Sequence, residues 1–219
     1  SYGDIMPNLH RIQKETASGK MYTLDYGGGT ATIEFEAFTG LSNFWMNIVP
    51  YTSLIPKTGK VPSVASTLKN KKFETIAIHP FNGGMYKRNI SLKNEGFDTF
   101  TTELEMDYTE HDGNSEYIND RSAYNQVLKT LREGEGNQMI GLITMQNHTP
   151  YNDSNYENHD FTVNQTEGIT DKRKSQLETY YQSLHTSDQY LGEFIDELKT
   201  LDKKVVVLFY GDHAAGLIA

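Results

Sequence analysis

Lys203-Lys204-Val205-Val206-Val207-Leu208-Phe209-Tyr210-Gly211-Asp212-His213 is the stretch on which the reading of the fold turns. Five consecutive apolar residues, three of them β-branched, have the length and composition of a strand buried on both faces. Residues 203–210 therefore read as the clearest central strand of a sheet. The run ends in Gly211 and hands Asp212 and His213 to whatever lies beyond the strand's carboxyl end.

Outward from that stretch, 138–144 is a second apolar run of strand length, bounded by Gly136 and Asn147. Residues 75–79 form a third, stopped by Pro80. Residues 21–26 alternate strand formers and run into Gly27, Gly28 and Gly29, and 97–100 reads as a short extended piece. Helical spacing marks 7–15, with a proline in its first turn, and the segment from Thr30 to Gly40, where Ile33, Glu34, Ala37 and Phe38 recur. That spacing makes Thr30 an N-cap and Gly40 a C-cap. Further helices are expected over 61–71, 85–93, from Asn119 or Asp120 to about Arg132, and over 174–201, which carries a broad apolar stripe. Residues 43–60 show no clean period and read as a loop, as do 103–120 and 151–170. Strands alternating with helices imply an α/β fold: a mostly parallel central sheet with helices on both faces and an active site beyond the carboxyl ends of the strands. Thr30, His79, His148 and the Asp212-His213 pair all stand at such ends.

The chain has 20 Lys plus Arg against 29 Asp plus Glu, a formal net charge of -9. That argues against broad capture of nucleic acid or anionic lipid, so an anionic substrate must be met locally. With no cysteine there is no disulfide framework, thiolate site or thiol nucleophile. No apolar run approaches the roughly 18 residues of a membrane span, and residues 1–20 lack a signal-peptide pattern.

A hydroxyl that attacks phosphorus must lose its proton, and a bound cation or a neighbouring base can take on that task. Thr30 follows three glycines and opens a helix, whose free amides suit a phosphate; local pattern alone favours a plain helix cap. Asp212 and His213 join a hard oxygen to a borderline nitrogen, a mixture that suits Mn or Zn better than Ca. His148 follows a buried strand and can bind or protonate a phosphoryl or leaving-group oxygen. Arg88 can grip phosphate bidentately, with Tyr86 packing against a glycerol or sugar. Glu34 and Glu36 read as dipole-stabilising residues of the helix that Thr30 begins.

Taken in order, Met6-Pro7-Asn8-Leu9, Gly28-Gly29-Thr30-Ala31-Thr32-Ile33-Glu34-Phe35-Glu36, Thr39-Gly40-Leu41, His79-Pro80, Tyr86-Lys87-Arg88, Gly96-Phe97-Asp98, Leu142-Ile143-Thr144 with Asn147-His148, and Tyr210-Gly211-Asp212-His213 resemble the lipoteichoic acid synthase branch of the sulfatase and alkaline phosphatase superfamily. The resemblance implies Thr30 as catalytic nucleophile, with Thr30, Asp212 and His213 at three metal-ligand positions and Mn as the usual ion. It also implies that His148, Arg88, His79 and Tyr86 line a phosphoglycerol site. The implied reaction moves glycerol phosphate from phosphatidylglycerol, through a phosphothreonine, to a glycerol phosphate polymer or glycolipid acceptor. It would take place on the outer face of a cell membrane, in a Gram-positive bacterium, with the membrane tether outside this chain. The family's further acidic ligand precedes the Pro7-Asn8 segment and has no match here. The expectation is one extracytoplasmic sulfatase-like catalytic domain over 1–219, truncated at both ends. Two alternatives stay open: a related phosphodiesterase or hydrolase, and a surface binding domain without turnover.

Overall fold

The computed structural model describes residues 3–23, 25–157, 159–164 and 167–216. The chain divides into two compact units, each assembled from three separate stretches.

The first unit comprises Ser1–Gly19, Met106–Arg132 and Thr144–Val206 and is helical. Its elements are α1 (Pro7–Glu15), α7 (Asp120–Glu133) and the long α8 (Asp171–Leu198), and α1 lies against α8. The buried Asp188 of α8 accepts hydrogen bonds from the free amides of Asn8 (2.8 Å) and Leu9 (2.7 Å), satisfying the start of α1 from another helix. Tyr124 of α7 stacks on Phe194 of α8 at 4.5 Å. Asn119 supplies the cap of α7, its Oδ1 accepting from the Ser122 amide, and Thr170 caps α8.

The second unit comprises Lys20–Glu105, Glu133–Ile143 and Val207–Ala219 and holds the sheet. Strands β1 (Glu74–His79), β2 (Thr99–Thr102) and β3 (Gln138–Leu142) are all parallel in the order β2-β1-β3, with Ile76 opposite both Thr99 and Ile140. The last five residues of β1 are buried, as befits the central strand of a parallel sheet. Around the sheet stand α2 (Thr30–Thr39), α3 (Pro50–Ser53), α4 (Ile55–Thr58), α5 (Val64–Asn70) and α6 (Arg88–Glu95). Ala31 and Phe35 of α2 meet Tyr51, Ile55, Ala65, Ala77, Leu92 and Phe97 in one core, which fixes α2 against the other elements. The result is an α/β fold built on a parallel sheet flanked by helices.

Several expectations are corrected. The stretch 203–210 is not a strand: among the described residues 204–210 have no ladder partner, and Val206 and Leu208 are 91% and 85% exposed. An apolar β-branched run supplies propensity, but a strand exists only where a neighbour accepts its hydrogen bonds, and the described ladders join β1 to β2 and β3 alone. The expected strand over 21–26 reduces to a single parallel bridge, Tyr26 to Ala214, with Leu24 outside the described residues. Within 43–60, read as a loop, two prolines start the four-residue helices α3 and α4, and Tyr51 and Ile55 are fully buried. The helix expected over 61–71 begins later, at Val64, behind a Ser63–Ser66 capping box.

Candidate active site

Three glycines bring the chain into α2. Gly27, Gly28 and Gly29 have φ of 68°, 157° and 98°, conformations open to a residue without Cβ. A Cβ on Gly29 would also meet the Asp25 carboxyl carbon at 2.6 Å. Gly29 itself occupies the cap position, and its carbonyl accepts from the Thr32 and Ile33 amides. Thr30 is therefore the first helical residue and not the N-cap, which frees its hydroxyl from capping.

That hydroxyl lies 3.1 Å from Nε2 of His213, 183 residues away along the chain. The Tyr26–Ala214 bridge and a 3.0 Å hydrogen bond from the Gly27 amide to the Ala214 carbonyl hold the two segments side by side. His213 Nδ1 sits 3.0 Å from the Ala214 carbonyl, which can only accept, so Nδ1 carries a proton. Asp212 Oδ2 stands 3.3 Å from the same Nε2. The Thr30 hydroxyl and the Asp212 carboxylate thus both lie beside one ring nitrogen, Nε2 of His213.

A hydroxyl, an imidazole and a carboxylate are donor types that could hold a divalent cation. Among the described residues no group of three or more His, Cys, Asp or Glu comes together; here two such residues are completed by a threonine. Burial pushes the Asp25 carboxyl up, with Glu36 adding to the shift and His213 opposing it, so Asp25 belongs to the same electrostatic neighbourhood.

A second cluster lies one turn further along α2. Glu34 is 4% exposed and does not act as a solvated dipole partner; it clasps the buried guanidinium of Arg88. Arg88 Nε donates to both Glu34 oxygens at 3.1 and 3.0 Å, and Nη2 donates to Oε1 at 2.5 Å. Burial opposes the charge on Arg88, but the Glu34 carboxylate outweighs it and raises the arginine's pKa. Arg88 Nη1 lies 3.2 Å from His79 Nε2, and the Tyr86 ring centroid is 5.2 Å from the Arg88 guanidinium carbon. Tyr86 takes a left-handed φ of 55°, which places its ring beside the guanidinium. Glu36 instead closes the end of α2, accepting from the Asn43 amide at 2.6 Å.

Of the residues singled out from sequence, the structure brings Thr30 to Asp212 and His213, and Arg88 to His79 and Tyr86. His148 belongs to the helical unit, where its exposed ring contacts the Thr149 carbonyl through Nδ1 (2.6 Å) and the Tyr117 hydroxyl (3.1 Å). Sequence reasoning missed the role of Glu34 and the presence of Asp25. The first was signalled by its i, i+4 spacing from Thr30, which places both on one helix face.

The family model for sulfatases matches residues 1–219. This chain belongs to the sulfatase family. Within that family it is similar to the phosphoglycerol transferase GacH of Streptococcus pyogenes, solved in complex with sn-glycerol-1-phosphate, with a TM-score of 0.87 and 28% identity over 99% of this chain and 56% of GacH. A Rhizobium meliloti protein named for cyclic β-1,2-glucan modification is 29% identical over 96% of this chain and 32% of its own length. Lipoteichoic acid synthase 2 of Bacillus subtilis is 26% identical over 69% of this chain and 22% of its length. The chain thus spans a third or less of these two curated relatives. Among the described residues no helix of this sulfatase-family chain is long and apolar enough to cross a membrane.

Proposed function

We propose that this sulfatase-family chain carries the nucleophile of a metal-dependent phosphoglycerol transferase that acts on phosphatidylglycerol at the outer face of a membrane and delivers glycerol phosphate to a surface glycan. The observation that carries this reading is the meeting of the Thr30 hydroxyl with His213 Nε2, beside which the Asp212 carboxylate also lies. The likeness to GacH, whose bound ligand is sn-glycerol-1-phosphate, supports the donor chemistry.

In this scheme Thr30 Oγ1 releases its proton to solvent and forms a bond to phosphorus while the bond from phosphorus to the diacylglycerol oxygen breaks, and the leaving oxygen takes up a proton from solvent. An acceptor hydroxyl then forms a bond to phosphorus while the bond from phosphorus to Thr30 Oγ1 breaks, the acceptor's proton leaving to solvent and Oγ1 regaining one from it. A divalent cation, Mn by the family resemblance, would be held by Thr30 Oγ1, Asp212 Oδ2 and His213 Nε2, and would lower the pKa of the hydroxyl and offset charge on the phosphoryl group. The N-terminus of α2 presents free amides beside Thr30, and Arg88 retains one N–H on each terminal nitrogen for phosphoryl oxygens. The acceptor is named only by class, a cell-surface glycan, because the relatives carry the names of different glycans.

Incubation of the intact protein with Mn2+ and fluorescent phosphatidylglycerol tests this. Diacylglycerol release and a glycerol phosphate adduct on Thr30, both lost in Thr30→Ala, are expected. An adduct that survives the substitution, or no release by folded, metal-loaded protein, would overturn the assignment.

A further inference from the structure

Arg88 is among the most deeply buried side chains of the molecule, 2% exposed, yet it carries the only formal positive charge in its immediate cluster of described contacts. A guanidinium has five N–H donors in one plane, and three of them are used within the protein. The edge formed by Nε and Nη2 is spent on Glu34, which sits on α2 four residues after Thr30. Nη1 is spent on His79.

The identity of each hydrogen-bonding atom fixes the state of His79. Its Nδ1 lies 2.9 Å from the Ile143 carbonyl, which only accepts, so Nδ1 bears the proton. Its Nε2 faces an arginine, which only donates, so Nε2 is a lone pair. His79 is therefore a neutral imidazole, fully buried, strung between the backbone just beyond β3 and the guanidinium.

We infer that Glu34 and His79 are positioning residues for Arg88, clamping the plane of its guanidinium from two sides so that its two remaining N–H groups are aimed relative to Thr30. The clamp is anchored on the nucleophile's own helix at one end and on the parallel sheet at the other. Any shift of α2 moves Thr30 and the Glu34 grip together, which keeps nucleophile and phosphate-binding cation in register. The inference rests on the reading of this site as one that binds a phosphoglycerol group, and it gives His79 a positioning role there.

The test uses the intact protein and two readouts: affinity for sn-glycerol-1-phosphate by calorimetry, and release of diacylglycerol from fluorescent phosphatidylglycerol in the presence of Mn2+. Glu34→Gln keeps the shape and removes the charge; it is expected to weaken both by about 10-fold or more, as does Arg88→Ala. Within the Arg88→Ala background the same substitution is expected to cost less than about 3-fold, because there is no guanidinium left to position. His79→Gln, which retains an acceptor near the Nε2 place, is expected to stay within about 3-fold of wild type while His79→Leu follows Glu34→Gln. Variants are compared at matched melting temperatures, and the histidine pair stands in if the glutamate variants do not fold. Equal costs of Glu34→Gln with and without Arg88, a His79→Leu protein as active as His79→Gln, or no sn-glycerol-1-phosphate binding by wild type would overturn the inference. Coupled binding without diacylglycerol release would instead sink the transferase reading and leave the clamp standing.

Discussion

Gly29 and Glu95 show how single residues set the terms for the site. Gly29 has a φ of 98° and the Asp25 carboxyl lies where its Cβ would be. Alanine there must adopt a disfavoured left-handed conformation, about 1–2 kcal/mol, and displace Asp25 as well. Gly29→Ala is expected to lower the melting temperature by several degrees and to cut adduct formation on Thr30 by about 10-fold or more; a variant with wild-type labelling would show that the turn does not place the nucleophile. Glu95 is fully buried on α6, accepts from the Tyr51 hydroxyl at 3.0 Å through Oε2, and has no described partner on Oε1. Burial raises its pKa to about 8 from the ordinary 4.5, against the hydrogen bond from Tyr51, which lowers it. Below about pH 4 the group is protonated folded or unfolded and contributes no pH dependence. Between those two pKa values only the unfolded chain ionises, so stability falls as pH rises and levels off above about pH 8. The loss is on the order of a few kcal/mol. Thermal melts at about pH 5 and 8 should therefore show a wild-type decline that Glu95→Gln largely lacks, and parallel declines would place the ionisation elsewhere.

At the scale of elements, α2 meets the sheet at a glycine where a side chain would be crowded. Phe38 of α2 meets Phe97 edge-on at 5.2 Å, and a Cβ on Gly141 of β3 would lie 3.1 Å from both rings. Valine at 141 overpacks that junction, a change expected to cost about 1–3 kcal/mol. The expected outcome is a melting temperature lower by about 2–10 °C together with weaker transfer, since the helix that moves carries Thr30 and Glu34. Unaltered turnover at the lowered melting temperature would show that the position of α2 is indifferent. Strands β1 and β3 were legible in the sequence because Ile76-Ala77-Ile78 and Met139-Ile140-Gly141-Leu142 are short apolar stretches of strand length between turn residues, buried in β1 and mostly half-buried in β3. The run over 203–210 looked stronger than either and is unpaired, because composition states a preference for extension and is silent on which neighbour accepts it. Helices α3 and α4 were illegible because four residues are too few to show a period; only Pro50 and Pro56 hint at them. Thr30, Asp212 and His213 could be singled out from their place after glycines and strand-like runs, while the true partner of Glu34 lies 54 residues away and leaves no local trace.

Across the whole molecule, chemistry is assembled from segments that the chain visits far apart. The sheet-bearing unit takes Thr30, Glu34, His79 and Arg88 from one stretch and Asp212 and His213 from another, with the helical unit's residues between them in sequence. The closing stretch adds little to the core: Val207, Leu208 and Phe209 are 45%, 85% and 49% exposed, and its described backbone ties include the Tyr26–Ala214 bridge and the Gly27–Ala214 hydrogen bond. Fold and site are therefore separable by truncation. A chain ending at Val206 is expected to keep its circular dichroism spectrum and to lose no more than a few degrees of melting temperature, because few apolar contacts are removed. It is also expected to bind Mn2+ at least about 10-fold more weakly in a calorimetric titration, because two of the three proposed donors are gone while Thr30 remains. Unchanged Mn2+ affinity in that chain would place the cation away from Asp212 and His213, and with it would go the reason for those residues to face the Thr30 hydroxyl.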